Sequence, residues 1–199
     1  MTITGIVGFG GSGKTLLAVI FAEALKKKGF KVCTNITSYK NLDYNMEREL
    51  IPLTKKQSEI ILSGEEAPKI LVIADEIQQY IDSRNSQSLT NKRLTQKFFQ
   101  LRKYKMDFIY TLQYLSSVDI RLRRITQYYI LPKFDESKLH LYYAVLSNTY
   151  NLLYEKEYNI NPALFDLYYT YEDIDGNIEL GVDKKRINKN LKNAGVLLD

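Results

Sequence analysis

The chain has 199 residues, enough for one domain or one domain with an appendage. Hydrophobic residues make up 45% and charged residues 26%, which supports a packed core and excludes global disorder, while a net charge of +5 permits a polyanionic partner without requiring one. The single cysteine, Cys33, excludes a disulfide framework and a four-cysteine zinc site, and the single histidine, His140, argues against His-rich metal sites and a Ser-His-Asp arrangement.

Ile3 to Gly8 is a short apolar run ending in glycine and reads as a buried strand. From Gly13 the pattern turns helical: Leu17, Ile20, Phe21 and Ala24 share one face, Lys26–Lys28 suit the negative end of the helix dipole, and Gly29 is a stop. Phe30 to Ile36 reads as a second strand, so this strand–turn–helix–strand unit predicts a parallel sheet. Residues 37–54 lack periodicity and read as a loop, followed by a helix over Thr54–Leu62. Lys69 to Ala74 is a third strand, apolar enough to be central, and Ile77–Ile81 a helical turn.

The polar run Asp82–Thr90 reads as an exposed loop, and Asn91–Lys105 as a helix with Leu94, Phe98 and Leu101 on one face. Asp107–Leu112 is a fourth strand, Val118–Arg124 a short helix and Gln127–Leu131 a fifth strand. Leu139–Leu146 and Tyr150–Tyr158 predict a hairpin around Ser147–Thr149. Asp175-Gly176 signals a turn, and Lys184–Asn193 a basic helix or loose tail. The expected fold is α/β, a mainly parallel central sheet flanked by helices with an added antiparallel hairpin. The core is expected over 1–158, with an extension over 159–199. No leader is read in Met1–Gly5, and Leu16–Leu25 is broken by Glu23 and too short for a bilayer, so direct membrane insertion is not expected.

Gly8-Phe9-Gly10-Gly11-Ser12-Gly13-Lys14-Thr15 fits the phosphate-loop pattern G-x-x-x-x-G-K-[ST]. Glycines let the backbone curl with N–H groups around phosphate oxygens, and the helix that follows adds its positive N-terminus. In this pattern Gly8, Gly10, Gly11, Ser12 and Gly13 form the cradle, Lys14 reaches the β- and γ-phosphates, and the Thr15 hydroxyl ligates Mg²⁺. The alternative is a glycine-rich turn with no ligand, but the match sits between a strand and a helix, as the chemistry requires.

The third strand ends in Asp75-Glu76. Ligands of parallel sheets bind beyond the carboxyl ends of the strands, so Asp75 is expected to hold Mg²⁺ through a water, and Glu76 to orient or deprotonate a water attacking the γ-phosphate of ATP. An acidic pair opening a helix is the plainer alternative.

These elements, with Leu101–Gln113 and Ser117–Arg123, resemble the FtsK/HerA superfamily of DNA-pumping P-loop ATPases, and among them the small viral genome-packaging ATPases of turreted Sulfolobus viruses. The likeness covers about residues 1–131. It implies a RecA-like core, a hexameric ring, and ATP hydrolysis at subunit interfaces coupled to movement of double-stranded DNA. Gln113 then matches the sensor of the γ-phosphate, and Arg102 an arginine inserted into the neighbouring subunit's site, with Arg121, Arg123 and Arg124 as rivals. Capsid or portal vertex proteins become partners, and the host cytoplasm or the packaging vertex the location. Zot-like relatives carry a transmembrane segment after the ATPase part, and none is read here.

Lys92, Arg93 and Lys97, with Lys103 and Lys105, make the stretch after the polar loop basic and are candidates for sequence-independent phosphate contacts. A solvated helix face is the alternative for them, and a charged tail for Lys184–Lys192. Two other functions compete with a DNA motor. One is a Zot-like, nucleotide-gated protein of virion or filament assembly. The other is a small-molecule kinase: Ala74-Asp75-Glu76-Ile77-Gln78 faintly resembles the Asp-Glu-Ala-Gln pattern of one thymidine kinase class, but the zinc-binding cysteines usual in that class are missing.

Overall fold

The structure is a computed structural model that describes residues 1–81 and 89–168, without the side chains of residues 89–92, 94 and 95. The turn expected at Asp175-Gly176, the basic segment Lys184–Asn193 and the loop positions 82–88 lie outside the described residues.

The elements run β1 (Ile3–Val7), α1 (Lys14–Lys26), β2 (Lys31–Thr34), β3 (Tyr44–Asn45), α2 (Met46–Leu62), β4 (Ile70–Ala74), α3 (Gln78–Ile81), α4 (Leu89–Gln100), β5 (Asp107–Leu112), α5 (Ile120–Ile125), β6 (Tyr128–Asp135), β7 (His140–Ser147) and β8 (Leu152–Asn159). Short 3-10 segments lie at Leu101–Tyr104, Leu115–Ser117 and Pro162–Asp166. One sheet holds the described strands in the order β3-β2-β4-β5-β1-β6-β7-β8. β3, β2, β4, β5, β1 and β6 pair in parallel, and β6–β7–β8 antiparallel. This is the expected α/β fold with its parallel sheet and antiparallel addition.

β1 and β4 are buried at all five positions, as befits strands covered on both faces. One face packs on α1 through Leu17, Val19, Ile73, Ile109 and Leu141, joined by Ile160 and Tyr168. The other packs on α2, α4 and α5 through Met46, Leu50, Phe98, Phe108 and Leu122. Phe98 stacks on Phe108 with ring centroids 5.1 Å apart, which fixes α4 against β5.

The sequence reading departs from the structure at identifiable places. Residues 37–54 are not one loop: β3 lies there, and α2 begins at Met46, eight residues before the expected Thr54. Asn45 caps α2, its side chain accepting from the Glu47 and Arg48 N–H groups. The first half of α2 has a hidden period, because its buried stripe, Met46, Leu50, Thr54 and Gln57, is half polar, and Pro52 lies inside it. α4 starts two residues earlier than expected, and its last turn tightens into the 3-10 segment Leu101–Tyr104. β6 runs on to Asp135, and β8 starts at Leu152 rather than Tyr150. No helix among the described residues is long and apolar enough to cross a membrane.

Candidate nucleotide site

The turn between β1 and α1 is held at both ends. The Gly8 N–H donates to the Leu112 carbonyl at 3.2 Å, which ties the turn to the end of β5, and the Leu17 N–H donates to the Gly13 carbonyl at 2.9 Å as α1 begins. Gly13 has φ 87°, and a Cβ there would lie 2.9 Å from the Phe134 Cβ and 3.0 Å from the Leu141 Cδ1. Conformation and space both demand glycine at this position. No side chain caps α1, so its first N–H groups face the hollow of the turn. The buried Ser12 Oγ has no hydrogen-bond partner among the described residues, an orphan of the kind a bound oxyanion satisfies.

Lys14 is 8% exposed and donates from Nζ to the Phe9 carbonyl at 2.9 Å. Burial pushes its ammonium below the usual lysine range, against the opposing attraction of Asp75 and Glu76. The cation is thus desolvated and held by a neutral carbonyl, which a phosphate oxygen would replace to advantage.

Asp75 and Glu76 follow β4, beside the turn. The Thr15 Oγ1 lies 3.0 Å from Asp75 Oδ2 and 3.2 Å from Oδ1, donating its proton to the carboxylate. The sheet order brings these two together across 60 residues of sequence. Thr111 on β5 donates to Asp75 Oδ1 at 2.5 Å and accepts from the Glu76 N–H at 2.9 Å. Its carbonyl accepts from the Ile77 N–H at 3.0 Å. Asn35, just past β2, accepts from the Asp75 N–H at 2.7 Å and donates to the Asp75 carbonyl at 2.9 Å. Burial raises the Asp75 carboxyl above the usual aspartate range, although the hydroxyls of Thr111 and Thr15 pull it back.

Thr111 and Asn35 escaped the sequence reading. They are single polar residues at strand ends, and only the β2-β4-β5 order reveals that they flank the acids. Glu76 itself has φ 49°, left-handed for a residue with a side chain, and its carboxylate accepts from Gln79 Nε2 at 2.9 Å.

The other candidates scatter. Gln113 is exposed at the end of β5, next to the residue whose carbonyl takes the Gly8 N–H. Arg102 is exposed before β5, at the opposite end of a strand that spans about 20 Å, so it does not reach the turn of its own chain. It lies not on the α-helix expected over Asn91–Lys105 but in the 3-10 segment Leu101–Tyr104. Arg121 is paired with Asp119 at 2.6 Å, and its guanidinium lies over the Phe99 ring. Arg93 is exposed on α4, Lys97 donates to the Tyr104 hydroxyl at 3.1 Å, and the Lys92 side chain lies outside the description. Cys33 is buried, and burial pushes its thiol far above the usual range.

No group of three or more His, Cys, Asp or Glu suited to a metal lies among the described residues. The oxygen pair Thr15–Asp75 is instead the sparse, hard donor set that suits a cation sharing its coordination with waters and phosphates.

Solved structures with this architecture come from several systems. The N-terminal domain of zonular occludens toxin from Neisseria meningitidis superposes with a TM-score of 0.50 at 20% identity, covering 84% of this chain and 98% of that one. The genome packaging NTPase B204 of Sulfolobus turreted icosahedral virus 2, in complex with ATP-gammaS, gives 0.52 at 13% identity over 78% and 96%. The pCW3 conjugation coupling protein TcpA, with ATPgS, gives 0.54 at 15% identity over 96% of this chain and 64% of that one. At these identities the likeness carries the fold, which is the P-loop NTPase fold expected from an FtsK/HerA-like sequence. A search of curated proteins returns no match. The model of the Zonular occludens toxin (Zot) family matches residues 3–171, and the chain belongs to that family.

Proposed function

We propose that the chain is a Mg²⁺-dependent ATPase subunit that works in a homo-oligomeric ring, hexameric by resemblance, to drive double-stranded DNA in packaging or virion assembly. The observation that carries the ATPase reading is the contact of Thr15 with Asp75 at 3.0 Å, which joins the glycine turn to the acids at the carboxyl edge of the sheet. The desolvated Lys14 and the orphaned Ser12 hydroxyl are each the kind of donor a phosphate oxygen would engage.

In this reading the N–H groups of Gly8–Thr15 and the Lys14 ammonium hold the β- and γ-phosphates of ATP. Thr15 and Asp75 would hold Mg²⁺, which supplies charge neutralisation on the phosphate oxygens. Glu76 orients a water and takes its proton. The water oxygen bonds to the γ-phosphorus, the bond to the β–γ bridging oxygen breaks, and ADP and inorganic phosphate leave. Gln113, exposed at the end of β5, would contact the γ-phosphate. Arg102, remote from its own turn, would serve a neighbour's site. Arg93 with Lys92 and Lys97 would contact DNA phosphates without reading sequence.

The family match over residues 3–171 favours a second reading, in which the same ATPase drives assembly of a virion or filament through capsid or portal proteins at the host's assembly site, without gripping DNA. ATP hydrolysis by the purified protein with and without long duplex DNA separates the two. Stimulation that falls as salt rises supports the DNA motor. Hydrolysis indifferent to DNA supports the assembly reading, and no Mg²⁺-dependent hydrolysis in any assembled state refutes both.

A further inference from the structure

We infer that Asn35 is a positioning residue for the acid pair, gripping the main chain of Asp75 from β2 and linked through Tyr80 to Glu47 on α2. The inference rests on the ATPase reading above, and it adds a residue that no phosphate-loop pattern contains.

Thr34 pairs with Ile73 in the β2–β4 register, so Asn35 stands where the next pair would form. There its carboxamide takes the part of a strand neighbour, accepting from the Asp75 N–H at 2.7 Å and donating to the Asp75 carbonyl at 2.9 Å. Thr111 grips Glu76 and Ile77 from the other side of β4. Between these two clamps Glu76 holds φ 49°, a conformation that costs about 1 kcal/mol or more and persists only where its surroundings over-determine it. The strain falls on the residue that must aim a carboxylate at a water, and Asn35 is half of what maintains it.

A simple strand-end cap would stop there. Asn35 also donates from Nδ2 to the Tyr80 hydroxyl at 3.2 Å, and that hydroxyl donates to Glu47 Oε1 at 2.5 Å. Tyr80 is buried, with its ring edge-on to Phe98, while Glu47 is exposed in the first turn of α2. A hydrogen-bonded chain therefore runs from a surface carboxylate to the peptide of the catalytic acids. The hydrogen bonds of Asn35 among the described residues go to Asp75 and Tyr80, not to the glycine turn or Thr15, so it bears on where Glu76 points rather than on holding phosphate.

The test compares wild type, Asn35→Asp, Asn35→Ala, Tyr80→Phe and Glu76→Gln, measuring kcat, the Kd of a fluorescent ATP analogue with Mg²⁺, and Tm. Both Asn35 variants are expected to lose about tenfold or more in kcat with Kd changed less than about threefold. Tyr80→Phe keeps its ring and loses only the hydroxyl; its kcat is expected to fall about two- to fivefold with Kd unchanged. A merely structural role would lower Tm while leaving kcat per folded molecule at the wild-type value, and that result overturns the inference. Should both Asn35 variants fail to fold, Tyr80→Phe decides, and wild-type turnover in it overturns the inference. Active wild type and silent Glu76→Gln beside fully active Asn35 variants would overturn this inference alone. Absence of hydrolysis in wild type would overturn the ATPase reading, and the inference with it.

Discussion

Replacing Thr111 with Val keeps the shape of a fully buried side chain and removes one hydroxyl. That hydroxyl donates to Asp75 Oδ1 at 2.5 Å and accepts from the Glu76 N–H at 2.9 Å. A hydrogen bond to a carboxylate contributes about 1.5–3 kcal/mol, and leaving a buried N–H unsatisfied costs about 1–3 kcal/mol. Together the loss is about 2.5–6 kcal/mol, which lowers Tm by about 5–25 °C in a chain of this size. The removed bond is one that holds the raised Asp75 carboxyl down, so its acid moves further up, and the carboxylate loses a donor that places it for Mg²⁺. Thermal unfolding by circular dichroism reads the first effect, and Mg²⁺-dependent ATP turnover the second. A Thr111→Val protein with Tm within about 2 °C of wild type and unchanged turnover would refute the account of how the acids are held.

Other perturbations bear on separate parts of the account. Gly13→Ala places a Cβ 2.9 Å from Phe134 at φ 87°, so calorimetric titration is expected to show ATP binding lost, and thermal unfolding a stability loss of about 2 kcal/mol or more. Asp43 shows the acid side of stability. Burial works to raise its carboxyl, but Lys26 at 2.5 Å, the Val32 N–H at 2.9 Å and Lys31 at 3.1 Å hold it below the usual range. A depressed acid contributes stability above its unfolded pKa and loses it as pH falls through the folded one. Asp43→Asn is therefore expected to lower the urea midpoint at pH 7, with the gap to wild type closing as both are acidified below about pH 4. Arg102→Ala is expected to bind ATP and fail to hydrolyse it. Mixing it with Glu76→Gln should restore part of the activity, and no recovery in rings shown to be mixed would remove Arg102 from the neighbour's site.

Local spacing made the glycine turn legible, because Gly8–Thr15 carries its chemistry within eight consecutive residues. Asp75 and Glu76 were legible for a related reason: five apolar residues ending in two acids place the acids at the edge of a buried strand. Asn35 and Thr111 were not, since an asparagine after a strand and a threonine within one are ordinary, and their meaning lies in strands that the sequence separates by dozens of residues. The first half of α2 was lost because Thr54 and Gln57 occupy buried positions where an apolar stripe was sought. Arg102 falls within the helix expected over Asn91–Lys105, but its segment packs as a 3-10 turn, where Leu101 turns inward and Arg102 outward.

The most direct measurement of the central claim is single-turnover hydrolysis of ATP with Mg²⁺ by wild type and Glu76→Gln at matched nucleotide occupancy. The account predicts Kd values within about threefold of each other and a loss of about a hundredfold or more in the rate for Glu76→Gln. Equal rates in the two proteins, or hydrolysis that persists in Lys14→Ala at wild-type nucleotide affinity, would contradict it.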